Sequence, residues 1–284
     1  MRHHIGLIIL TIALALAHAT ATKAAQLPLS EVSHIHGIAF DQSRPGSLLL
    51  ATHNGLFRGS PDGTAETVSA DTSDYMGFSL DPADPYRLLA SGHPDQAGGL
   101  GIIQSTDGGI TWTKLADGVN GPVDFHAMTI SRADPKVIYG LFGGIQVSRD
   151  GGATWSMVGS GPERTIDLSA APDSSDLLYA GTVGGFMRSA DGGRNWQLAG
   201  PAGVAVTMVE ATADGALYAF FYGAGLFRLA SDGQWAELST GFDKRYFQHL
   251  AADPLDPAHL AAVTDESAIL ESKNGGKTWQ PFAK

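Results

Sequence analysis

The chain of 284 residues carries 18 basic and 29 acidic side chains, a net charge of −11, and no cysteine. Disulfides, thiolate metal sites, a cysteine nucleophile and lipid attachment at cysteine are excluded, and the acidic balance opposes binding to nucleic acid or anionic lipid. A single all-β domain of this length can bury its own core without covalent staples.

The first segment reads as an export signal. Arg2 sets a basic start, Ile5 to Ala17 form an apolar run, and small residues follow at Ala19, Ala21, Ala24 and Ala25. The run is short for a bilayer, no second apolar stretch of that length follows, and no membrane span is expected. Residues 1–25 are expected to be removed by a cut between Ala19 and Ala25, leaving 26–284 as one domain in the periplasm or outside the cell.

Beyond residue 33 one motif recurs. Ser105-Thr106-Asp107-Gly108-Gly109-Ile110-Thr111-Trp112 returns at Ser148 to Trp155, at Ser189 to Trp196, and at Ser272 to Trp279 with Asn274 in the Asp place. Weaker copies stand at Ser60-Pro61-Asp62-Gly63 and at Ser231-Asp232-Gly233-Gln234-Trp235. The key positions Asp62, Asp107, Asp150, Asp191, Asp232 and Asn274 are 45, 43, 41, 41 and 42 residues apart, the length of a four-stranded blade. Asp or Asn suits a tight turn because its side chain bonds nearby backbone, and the glycines accept positive φ.

Between the boxes lie short period-2 strands broken by Pro, Gly and Asp, as in Met76 to Leu80, Arg87 to Ala90 and Leu100 to Gln104. The expected fold is an all-β, six-bladed β-propeller of four-stranded antiparallel blades with Asp-box turns. The blades fall at about 33–70, 71–117, 118–160, 161–200, 201–240 and 241–284, with the five tryptophans between blades.

The boxes resemble those of the Asp-box, or BNR, repeat proteins of the sialidase-like superfamily. His34-Ile35-His36-Gly37, Met76-Gly77-Phe78, Ser91-Gly92-His93-Pro94 and Asp124-Phe125-His126 are similar to a narrower set of exported bacterial proteins labelled glycosylhydrolase- or sialidase-like. The resemblance implies the propeller fold, and it places the boxes on the face away from the usual site.

Blade topology sends strand-1 starts and strand-2 ends to the opposite, upper face. Aligning the blades on their strand 1 to 2 turns puts His36, Met76, His126, Ile166, Val206 and Gln248 in one column, with His34, Asp74 and Asp124 two residues earlier in blades 1 to 3, and His53 and His93 at the strand-2 ends. Five of the seven histidines beyond the signal thus share one mouth, on blades 1 to 3. Neutral imidazole suits zinc or copper, the carboxylates complete or orient a shell, and Met76 adds a soft donor. His36, His53, His93 and His126 are therefore expected to converge on one metal ion, with His34, Asp74, Asp124 and Met76 close by. Two alternatives stand beside this: a hydrogen-bonded polar network, or a site for a small polar ligand without metal.

An enzyme built on this chain would be a hydrolase, using either metal-activated water or carboxylates drawn from Asp74, Asp124, Asp167 and Asp265 on a carbohydrate. A sialidase is disfavoured. It needs three arginines around a substrate carboxylate, and only Arg164 and Arg245 are expected at the upper face, while Glu210 is expected low on its strand. A scaffold that binds protein through its loops is the third reading.

Overall fold

A computed structural model describes residues 25–94, 98–230 and 232–283; the expected signal segment and Ser231 of the fifth box lie outside these residues. The chain forms six antiparallel sheets, each drawn from consecutive strands. The innermost strands are Ile35–Phe40, Asp74–Leu80, Ala127–Ile130, Thr165–Ala170, Val206–Ala211 and Phe247–Asp253, and they define blades 1 to 6. Each packs on the next, and blade 6 packs back on blade 1 to close the ring. The six-bladed propeller is as expected, with one correction. Blade 1 has five strands, because Gln26–Pro28 adds to its outer edge against Thr64–Glu66. Among the described residues no helix is long and apolar enough to cross a membrane.

The Asp-box turns are rigid for a visible reason. In blade 3 the Ser148 hydroxyl donates to Asp150 Oδ1 at 2.8 Å and accepts the Gly152 N–H at 2.8 Å. Asp150 also accepts the Thr154 N–H at 2.9 Å and its hydroxyl at 2.6 Å, and the Trp155 indole donates to the Gly152 carbonyl at 2.9 Å. These bonds hold the Asp150 carboxyl down at about 2. Gly151 and Gly152 adopt φ of 80° and 99°, which an L side chain rarely takes.

The core is six apolar clusters, each shared by two neighbouring blades. Trp112, Trp155, Trp196, Trp235 and Trp279 close five of them, as expected from the repeat. Phe40, Phe57 and Phe282 fill the sixth, between blades 6 and 1, where the degenerate first box supplies no tryptophan. The fifth box has Gln234 in place of the second glycine, and its Trp235 indole nitrogen has no hydrogen-bond partner.

Candidate functional site

Three tripeptides set the mouth, each with a fully buried residue between two candidate donors. Ile35 lies between His34 and His36, Tyr75 between Asp74 and Met76, and Phe125 between Asp124 and His126. The middle residues are 1 %, 0 % and 0 % exposed, and burying them fixes where their neighbours project. Phe125 is further pinned by blade 2, since its N–H donates to the buried Ser91 hydroxyl at 2.7 Å. His36 falls at a register shift between Ile35 and Gly37, an irregularity of the kind that re-aims a side chain.

The second strands bring His53 and His93 to the same place. His53 sits in the turn where the Thr52 hydroxyl donates to the Gly55 carbonyl at 3.0 Å. His93 is the cross-strand partner of Asp74. Their close approach requires Gly92, at φ 133°, because a Cβ there would collide with the Asp74 carbonyl oxygen.

Asp74 is the hub of the cluster and is only 5 % exposed. Its Oδ1 lies 3.7 Å from His36 Nε2, and its Oδ2 lies 3.4 Å from His53 Nε2 and 3.2 Å from His93 Nε2. Ligand atoms around a tetrahedral zinc ion with bonds of about 2.0 to 2.1 Å stand about 3.3 Å apart. Yet His36 Nε2 and Asp74 Oδ1, both buried, have no hydrogen-bond partner among the described residues. His259 is the contrast. Its ring nitrogens lie at similar distances, 3.3 and 3.2 Å, from Asp253 and Glu271 and are hydrogen-bonded to both.

The electrostatics agree with a neutral, ligand-ready cluster. Burial, and then the neighbouring His53, His249 and His126, push His36 down to about 4, so its ring is uncharged at neutral pH. Burial raises Asp74 against the pull of the histidines. His93 Nδ1 lies 3.3 Å from the Pro94 carbonyl, which only accepts, so Nδ1 is a donor and Nε2 is the nitrogen turned to the carboxylate.

The eight expected residues do not all meet at one point. His36, His53 and Asp74 form a set whose ligand atoms lie within 4.8 Å of one another. His93 shares Asp74 Oδ2 but lies outside that set. His126 pairs with Asp124 at 3.5 Å, and the carboxylate beside it raises its pKa. His34 stacks on His53 at 4.7 Å, as His36 does at 4.5 Å, and its backbone N–H donates to Ser267 of blade 6 at 3.0 Å. Met76 is buried beside Ser91, its cross-strand partner, and the channel wall in its blade is made by Gly77, Phe78 and Ser79.

Below the mouth, the channel holds a cavity of about 260 Å³ lined by His36, His126, His249, Asp167, Glu210 and Arg132 among others. His249 escaped the sequence alignment, which put Gln248 in the column; a register shift between Phe247 and His249 turns the latter to the channel. Burial pushes it down to about 4. Asp167 lines the channel below the mouth and accepts the Val209 N–H of blade 5 at 2.8 Å. Burial pushes both Asp167 and Glu210 up to about 7, with Arg132 opposing it at Glu210. Asp265 is occupied with the Tyr246 N–H at 3.2 Å. His259 lies within the strand Asp256–Thr264.

The family model for the BNR/Asp-box repeat matches residues 146–157. No curated protein matches the chain. Solved structures share its fold. A GH74 xyloglucanase from Xanthomonas campestris is 20 % identical, with 91 % of this chain and 47 % of that one covered and a TM-score of 0.60. A gluconolactonase from the same organism is 15 % identical, with 90 % and 93 % covered and a TM-score of 0.63. The protein YCF48 bound to D1 peptide is 19 % identical, with 92 % and 85 % covered and a TM-score of 0.56. The chain spans less than half the length of the xyloglucanase. It is a six-bladed β-propeller carrying the BNR/Asp-box repeat.

Proposed function

We propose that this propeller is an exported protein whose channel mouth binds a transition-metal ion through His36, His53 and Asp74. One observation carries the reading. A buried carboxylate stands among imidazole nitrogens at ligand-to-ligand distances, with His36 Nε2 and Asp74 Oδ1 left without hydrogen bonds. Two imidazoles and a carboxylate are borderline donors that suit zinc or cupric copper. Three protein ligands leave a fourth position for water or a small polar ligand. Metal-free protein titrated with zinc or copper against a chromophoric chelator should show a tight site that a His36→Ala, His53→Ala double variant lacks. Wild-type affinity in that variant would refute the assignment. Export rests on the basic start, apolar run and Ala-rich end of residues 1–25. N-terminal sequencing of protein recovered from the periplasm or medium should begin between residues 20 and 26.

Hydrolysis is the second reading, and Asp167 and Glu210 favour it. Carboxyl groups held at about 7 suit acid–base work near neutrality, and their cavity opens beneath the His36 imidazole. Among solved structures of this fold are a xyloglucanase and a gluconolactonase. Zinc-dependent turnover of an aryl glycoside or a sugar lactone, abolished by Asp167→Asn, would establish this activity; metal binding without turnover would leave a binding protein.

A further inference from the structure

The mouth offers more donors than one ion uses. A tetrahedral ion takes at most four ligands, and His36, His53 and Asp74 already form a set within 4.8 Å. His93, His126 and Asp124 stand outside it, at the edge toward blade 3. We propose that this mouth holds two metal ions, the second taken by His93, His126 and Asp124, with Asp74 as the carboxylate shared between them. The proposal rests on the single-ion reading above and extends it.

Asp74 is built to be shared. Oδ1 faces His36, while Oδ2 lies between His53 at 3.4 Å and His93 at 3.2 Å. His93 lies outside the first set yet stands 3.2 Å from Oδ2, so this carboxylate is where the two groups of donors meet. Asp124 supplies the matching acceptor. It lies 3.5 Å from His126, and its Oδ1 is buried with no hydrogen-bond partner. The two carboxylates also repel each other, adding to the cost of ionising Asp74. No lysine or arginine pairs with either among the described ion pairs, only histidines. A buried carboxylate beside a partly buried one, without a fixed counter-ion, is costly to ionise, and divalent cations neutralise the pair.

The imidazoles of the second set are the more solvent-facing ones. The His93 and His126 side chains are 50 % and 68 % exposed, against 22 % for His36. Their backbones are nonetheless fixed by the Asp74–His93 register and by Ser91 holding Phe125. A carboxylate-bridged pair with ions about 3.5 to 4 Å apart is the arrangement used to activate a shared water.

Zinc stoichiometry tests this directly. Metal-free full-length mature protein is equilibrated with zinc, freed of excess, and measured by elemental analysis and native mass spectrometry. Wild type should hold two ions per chain, and Asp124→Asn and His126→Ala one each. Two ions in wild type and in both variants would overturn the second site, as would one ion in wild type. Either result leaves the His36, His53 and Asp74 reading standing. No retained zinc at all overturns both. Cobalt-loaded wild type should give a spin-coupled signal that Asp124→Asn replaces with that of an isolated ion; an isolated-ion signal in wild type would show that the two sites do not share Asp74.

Discussion

Asp74 and His93 face each other across the first hairpin of blade 2, with His93 Nε2 at 3.2 Å from Asp74 Oδ2. The register that builds the blade therefore also builds the site, and Gly92 alone permits the approach. Asp74→Asn should lower zinc affinity by at least about 100-fold, because it removes a charged ligand that an amide does not replace. The metal-free variant should be no less stable than wild type, since burial makes the ionised Asp74 costly. Chelator competition and thermal unfolding without metal check the two halves. A large loss of apo stability would mean that Asp74 is chiefly structural.

Channel groups should give stability a two-sided pH dependence. His36 and His249 hold pKa values of about 4 in the fold, against about 6.5 unfolded, so their contribution is present at neutral pH and is lost as pH falls from 6.5 toward 4. Asp167 and Glu210 are pushed the other way, to about 7. Their protonated forms favour the fold, and that contribution fades as pH rises from about 4 toward 7. Glu210→Gln should leave the melting temperature nearly unchanged at pH 4.5 and raise it above wild type by about 2 to 4 °C at pH 8. A constant difference across that range would show that Glu210 ionises normally in the channel.

Much of this was legible in the sequence because repeats convert spacing into place. Box spacing marked the blades, and residues such as His36 and His126 could be assigned to the mouth because the same offset recurs in each unit. What escaped was sub-repeat geometry. The register shift that puts His249 rather than Gln248 on the channel wall leaves no mark in the residues themselves. Gln26–Pro28 pairs at an outer edge where little hydrophobic patterning is required. That the His126–Asp124 pair stands outside the His36, His53 and Asp74 set is likewise below what column alignment resolves.

Box integrity should matter unequally around the ring. Asp150 fixes Ser148 and Thr154, whereas Asp232 accepts only the Gln234 N–H among the described hydrogen bonds. Asp150→Ala should lower the denaturation midpoint clearly, and Asp232→Ala much less. Trp155→Ala, which empties the space against Phe125 between blades 2 and 3, should cost about 3 kcal/mol. Urea unfolding of the three variants ranks them. Equal losses at the two aspartates would show that the turns stabilise the blades through something other than these hydrogen bonds.

Ring closure should depend on His259, at the seam that lacks a tryptophan. Its two nitrogens bond Asp253 and Glu271 of blade 6, and its ring packs on Phe40 of blade 1 at 4.8 Å. Among the described residues no strand is exchanged between these blades, so side-chain packing, with the His34–Ser267 hydrogen bond, holds the ring shut. His259→Ala removes the ring from Phe40 and one partner from each carboxylate. Glu271 keeps Gln280 and Lys273, and Asp253 keeps the Leu255 N–H, so neither is stranded. The cost should be about 1 to 3 kcal/mol. Because each blade buries its neighbour's face, the loss should appear as a lower urea midpoint with an unchanged slope, the mark of one cooperative unit. A separate early transition, or a reduced slope, would instead mean that blade 6 detaches before the rest and that the seam is not what holds the ring together.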